Sequence, residues 1–159
     1  LTAYAGVHRR LELKGVAGGV AVVDDYGHHP TEIRETLAAA RHVWQGRLIV
    51  VFQPHRYTRT KALYEEFLTA FADADALIVT DIYPASEEPI PGVTAANLCQ
   101  SIRDRGHGDV TYLAGSEDIV AHLLAKAKAT DVIITQGAGN VWKIGEAYLN
   151  QAAQAKRHE

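Results

Sequence analysis

The sequence holds no methionine and a single cysteine, Cys99. One cysteine excludes an internal disulfide framework, so the fold must be held by its core. Lys and Arg residues are scattered without a basic block, and the formal net charge is -3. This argues against sequence-independent binding to nucleic acid, which relies on clustered cations. No apolar run approaches the roughly 20 residues of a membrane-spanning helix, and the start lacks the pattern of a secretory signal. The expectation is a cytoplasmic protein with no nucleic-acid and no membrane partner. No glycine-rich loop closes on Gly-Lys-Ser or Gly-Lys-Thr, and Gly137-Ala138-Gly139 lacks the third glycine of a dinucleotide fingerprint. A serine elbow is missing too, and Cys99 falls in a helical pattern, where packing is its expected role. With no methionine even at position 1, and Leu1-Thr2-Ala3-Tyr4 in its place, the chain is expected to be a piece of a longer one.

What is present is a large apolar fraction, 47% of 159 residues, enough to bury one good core. Residues 1–159 are therefore read as a single domain. Leu11-Glu12-Leu13-Lys14 alternates as a half-exposed strand does, and Gly15, Gly18 and Gly19 punctuate the turn that follows. Val20 to Val23 reads as a buried strand. Pro30 opens a helix whose Ile33, Leu37, Ala40 and Trp44 share a face. The unit repeats with a strand from Leu48 to Phe52 and a helix from about Thr60 that uses Leu63, Phe67, Ala70 and Ala74. Ala76 to Thr80 is a third strand, and the proline-bearing segment from Ile82 to Thr94 is a loop. Further on come a helix with Leu98 and Ile102, a strand from Val110 to Leu113, and a helix N-capped by Ser116. Asp131 to Thr135 is a last strand. A terminal helix runs through Tyr148, with a frayed tail from Asn150. Alternation of this kind predicts an α/β, Rossmann-like, doubly wound and mostly parallel sheet of about six strands, helices on both faces, with an antiparallel strand added at an edge.

In such a sheet, ligands sit outside the carboxyl ends of the strands. The residues past those ends are Asp24-Asp25-Tyr26-Gly27-His28-His29, then Gln53 to Arg59, then Asp81 and Tyr83, then Gln136 to Asn140. Asp and His are not needed to make a turn, and burying them is costly unless they are paired. His55, Arg56 and Arg59 beside a helix start form an anion receptor, since a guanidinium offers a planar fork to carboxylate or phosphate. The plainer alternative is two surface arginines pairing with Glu65 or Glu66. His28, His29, Asp24, Asp25 and His55 also have the ligand chemistry of zinc, although no His-x-x-x-His spacing is present. His29, just before Pro30, is placed to cap the helix. His8, His42, His107, His122 and His158 read as surface residues.

Asp24-Asp25-Tyr26-Gly27-His28-His29-Pro30-Thr31-Glu32, followed at the next strand end by Phe52-Gln53-Pro54-His55-Arg56-Tyr57-Thr58-Arg59, closely resembles the C-terminal domain of the Mur ligases. Within them it is most similar to the branch that joins L-alanine to UDP-N-acetylmuramate in building the peptidoglycan stem peptide. Gly6-Val7-His8-Arg9-Arg10-Leu11-Glu12 looks like the family's linker into this domain. The recycling ligase that attaches a tripeptide shares Asp-Asp and His-His-Pro but lacks the His-Arg-Tyr-x-Arg signature, and ranks second.

The resemblance implies an ATP- and Mg2+-dependent amide ligase that activates the muramyl carboxylate as an acyl phosphate, which the amine of L-alanine attacks. It implies that the UDP-binding N-terminal domain and central ATPase domain lie outside this chain, which alone is inactive and holds no cofactor tightly. By carry-over, Arg10 and Asp25 serve ATP. Matching Arg-Leu-Glu to the family's Arg-Phe-Asp favours Arg10 over Arg9, although Leu11 replaces an aromatic. Tyr26 and His28 face the substrates, while His55, Arg56 and Arg59 hold the alanine carboxylate. No resident metal site is implied. Two other readings stand beside this one: a stand-alone anion-binding module, and metal-dependent hydrolysis at the paired histidines.

Overall fold

The computed structural model describes residues 9–157, so the readings of Gly6 to His8 and of His158 lie outside the described residues. Strands β1 (Glu12–Ala17) and β2 (Val20–Asp25) form an antiparallel hairpin, turned by Gly18 and Gly19 at φ 58° and 79°. A two-residue turn matched to strand twist needs positive φ at both central positions, which glycine adopts without a Cβ clash. The chain then alternates through α1 (Pro30–Val43), β3 (Leu48–Phe52), α2 (Tyr57–Ala62), α3 (Tyr64–Phe67), β4 (Ala76–Val79) and α4 (Ala95–Asp104). It closes with β5 (Val110–Tyr112), α5 (Ser116–Lys126), β6 (Val132–Gln136) and α6 (Trp142–Arg157). Six strands lie in the order β1-β2-β6-β3-β4-β5, parallel in every pair but the first. This is the Rossmann-like, doubly wound architecture, with its antiparallel edge strand.

Successive side chains on a strand point to opposite faces. Leu48, Val50 and Phe52 pack with Ile33 and Leu37 of α1, Phe67 of α3 and Leu98 and Ile102 of α4. Ile49 and Val51 pack with Ile119 and Leu123 of α5 and with Ile144 and Tyr148 of α6. Covering both faces is why β3 reads as an unbroken apolar run, each large aliphatic stabilising the fold by about 1.5–3 kcal/mol. Among the described residues, no helix is long and apolar enough to cross a membrane.

Local departures from the sequence reading have visible causes. The helix expected from Thr60 starts at Tyr57 and breaks at Leu63 into α2 and α3, whose ends meet there. Gly115, in extended conformation, is the N-cap of α5, and Ser116 is its first helical residue. The last helix continues past Asn150 to Arg157, because Leu149 and Ala152 still pack against the α5–α6 core. His107 is partly buried, its Nε2 lying 3.1 Å from the Phe71 carbonyl oxygen and 2.9 Å from that of Ala74. His122 is also partly buried, whereas His42 is exposed as expected.

Parallel register then sets the level of the strand ends. Asp25 lies beside Gln136, Gln136 beside Phe52, and Phe52 beside Val79. The turns that follow β2, β3, β4 and β6 consequently leave the sheet along one rim.

Candidate functional site

The acidic corner of the rim is built inward. Asp25 is 1% exposed, and its Oδ1 accepts the Leu11 amide at 3.0 Å. Its Oδ2 accepts from the Gly27 amide (2.9 Å), Thr36 Oγ1 (3.0 Å) and Gln136 Nε2 (2.8 Å). The Gln136 amide also donates to the Gly27 carbonyl at 2.7 Å. A Cβ on Gly27 would stand 2.8 Å from Asp25 Oδ2, so the tight turn requires glycine. The carboxylate expected to meet a nucleotide is thus satisfied within the chain, and it ties α1, β6 and the entry to β1 to one turn. Sequence reasoning missed Thr36 as its partner, because a Thr inside a helix carries no local signal of what it faces.

Arg9 and Arg10 divide in the same way. Arg9 Nε donates to buried Asp24 at 2.8 Å, Nη2 to the Gly137 carbonyl at 2.7 Å and Nη1 to the Gly139 carbonyl at 3.2 Å. Its guanidinium also lies 5.3 Å from the Tyr26 ring centre, within range of a cation–π contact. The Gly137-Ala138-Gly139 carbonyls therefore hold an arginine of the chain itself. Arg10 is exposed, and among the described residues nothing pairs with its guanidinium.

The outward face of the rim carries the imidazoles and the second basic turn. Tyr26 is 43% exposed, with its ring 5.4 Å from that of His28 in an edge arrangement. The His28 ring lies 5.8 Å from the His55 ring, so the two turns meet. His55 stacks on Tyr83 at 5.4 Å and 9°. Arg59 Nη1 donates to both Nδ1 and the carbonyl of His55 at 3.1 Å. Arginine has no acceptor; His55 Nδ1 must therefore accept, leaving the proton on Nε2. His28 Nδ1 sits 3.3 Å from the Tyr26 carbonyl, which fixes its proton on Nδ1 and leaves Nε2 to accept. Burial lowers the His55 pKa, and Arg59 and His28 lower it further. Burial lowers that of His28 as well, against the Tyr26 carbonyl and with help from Arg59. The ledge thus pairs a neutral donor with a neutral acceptor beside two cations.

Arg56 is exposed at φ 75°, ψ 142°, a conformation L-residues rarely adopt and one that costs on the order of 1–3 kcal/mol. Neither it nor Arg59 pairs with Glu65 or Glu66; Glu65 is bound to Arg105 at 2.6 Å. The helix start beside these arginines is occupied by Glu87, whose Oε1 accepts the Tyr57 amide at 2.7 Å and the Thr58 amide at 3.1 Å. The anion receptor is therefore the guanidiniums alone. Glu87 lies in a proline-bearing loop with no periodicity, and sequence reasoning passed over it. His29 is exposed at the N-cap of α1, where Glu32 Oε1 accepts its amide at 3.1 Å and that of His28 at 3.2 Å. Among the described residues, no group of three or more His, Cys, Asp or Glu side chains is arranged to hold a metal ion. The two carboxylates offered to zinc are Asp24 and Asp25, both committed as above.

Known proteins resemble this chain in sequence and in fold. The UDP-N-acetylmuramate--L-alanine ligase of Syntrophus aciditrophicus is 58% identical over 156 residues, 98% of this chain and 32% of its own length. That of Geobacter sulfurreducens is 52% identical over 155 residues, 97% of this chain and 34% of its own. The chain spans about a third of the length of these curated relatives. Among solved structures, the UDP-N-acetylmuramate-alanine ligase of Thermotoga maritima shares the fold, with TM-score 0.77 and 24% identity over 96% of this chain and 32% of that one. A murein peptide ligase from Psychrobacter arcticus matches with TM-score 0.75 and 27% identity, covering 96% and 31%. The family described as "Mur ligase, glutamate ligase domain" matches residues 9–139, and the chain belongs to that family.

Proposed function

We propose that the chain is the C-terminal, lid-like domain of an ATP-dependent ligase that joins L-alanine to UDP-N-acetylmuramate. The observation that carries this reading is identity of 58% along nearly the whole chain to a relative of that name. On the ledge, Arg56 and Arg59 receive the alanine carboxylate through charge-assisted hydrogen bonds, each contributing roughly 1.5–3 kcal/mol. His28 Nε2 accepts from the amine, His55 Nε2–H donates, and Tyr26 covers the open side. The domain's contribution is orientation and exclusion of water when it closes on its neighbours.

ATP with Mg2+ supplies the phosphoryl group that activates the muramyl carboxylate. Of the two residues assigned to it, Arg10 fits, being an exposed cation without a partner among the described residues. Asp25 serves by holding the turn that presents Tyr26 and His28. The N-terminal and central domains of the same protein are the partners of this face, and the setting is cytoplasmic.

A second reading, the tripeptide-attaching recycling ligase, draws on the fold match to the murein peptide ligase. The test is ADP release by the full-length protein with UDP-N-acetylmuramate and either L-alanine or the tripeptide. Turnover with L-alanine is expected, and preference for the tripeptide would install the second reading. The isolated chain is expected to show no ATP turnover with any of these substrates.

A further inference from the structure

We infer that Glu87 and Tyr83, on the loop between β4 and α4, are positioning residues that force the basic turn into its anion-receiving shape and thereby set recognition of the amino-acid substrate. The inference rests on the proposed function and extends it to residues that touch no substrate.

The basic turn is strained at Arg56, and a strained turn persists only when its surroundings overdetermine it. The loop supplies those surroundings. The Arg56 amide donates to the Tyr83 carbonyl at 2.8 Å, and the Tyr83 amide donates to the Pro54 carbonyl at 2.8 Å, forming a parallel bridge between His55 and Tyr83. The Tyr83 ring lies flat on the His55 ring. Immediately after Arg56, Glu87 takes the Tyr57 and Thr58 amides on one oxygen and the Thr58 hydroxyl at 2.5 Å on the other. One carboxylate thus pins two successive residues of the turn, 30 and 29 positions away in sequence. Arg56 is fixed between a backbone bridge before it and this carboxylate after it. His55 and Arg59, which carry the remainder of the receptor, are bonded to each other and held on the same frame.

A plain helix cap would stabilise α2 and nothing more. A positioning role moves substrate recognition selectively, and kinetics separate the two. In the full-length ligase, Glu87→Ala is expected to raise KM for L-alanine about tenfold or more while KM for ATP changes by less than about twofold. Glu87→Gln, which keeps an acceptor for the amides, should recover most of that loss. Tyr83→Leu, which keeps the backbone bridge and removes the stacked ring, should raise KM for L-alanine by about threefold to tenfold. Equal changes in both KM values, or a lowered Tm with an unchanged ratio of the two, would reduce Glu87 to a cap and overturn the inference. Arg56→Ala in the same assay distinguishes the levels. If it raises KM for L-alanine while Glu87→Ala does not, only the positioning inference falls. If neither does, the carboxylate-binding assignment beneath it falls as well.

Discussion

At the scale of single residues, neighbours in sequence carry opposite duties. Arg9 neutralises Asp24, which is 1% exposed, and removing one partner of a buried pair costs about 3–5 kcal/mol because the other charge is left without compensation. Arg9→Ala should therefore lower stability by that amount in chemical denaturation of the isolated chain, whereas Arg10→Ala should stay within about 0.5 kcal/mol of the parent. Under the proposed function the order reverses for nucleotide in the full-length protein: Arg10→Ala should raise KM for ATP while leaving KM for L-alanine unaltered. Arg56→Ala and Arg59→Ala should do the opposite, raising KM for L-alanine far more than KM for ATP. A matching rise in both would remove the carboxylate assignment. The resemblance assigns both Arg10 and Asp25 to ATP from two separate motifs, yet Arg10 is exposed and Asp25 is buried. A sequence motif marks which residues meet at a corner, not whether their polar atoms face inward or outward.

At the scale of elements, α1 and the β4–α4 loop show two ways of setting a turn. The start of α1 was legible, since His29, Pro30 and Glu32 stand in order with an apolar stripe behind them. Glu32 accepts two amides there, and these hold its pKa below the ordinary range even though burial pushes the other way. Glu32→Ala should cost about 1 kcal/mol of stability, in the range for loss of a helix cap, measured by urea denaturation. Because the amides it releases belong to His28 and His29, activity should fall in the full enzyme as well. The β4–α4 loop was legible only as a loop. Its prolines announce irregular backbone, but nothing local in Glu87 says that it reaches the turn after β3, because that contact exists only once β3 and β4 have paired.

At the scale of the whole molecule, parallel register makes the site by ending four strands together, and the helices leave the rim open on its outer side. Neutral histidines on this rim link stability to pH. Both His28 and His55 titrate below the ordinary value of about 6.5. The unfolded chain therefore binds more protons as pH drops through that region. Their contribution is complete above pH of about 6.5 and is lost as pH falls through the lowered folded values. Thermal melts of the isolated chain should show Tm declining from neutral toward mildly acidic pH, with a shallower decline in the His28→Asn, His55→Asn double variant; an unchanged slope would refute it. Calorimetry with L-alanine should find only very weak binding to the isolated chain, because the proposed function assigns the remaining contacts to other domains of the full-length protein. Micromolar affinity would favour a self-sufficient binding module instead.

The order of strands and helices, the apolar runs and the unusual polar turns are written in local chemistry: β-branched runs, helical stripes, glycines and a proline at a helix start. These were enough to predict the sheet, its edge strand and the rim on which the turns gather. Which of the rim's polar atoms remain open to a ligand was decided by tertiary structure alone. Gln136, Arg9 and Glu87 each complete a contact with a residue distant in sequence, and only the packed sheet brings those partners within hydrogen-bonding distance.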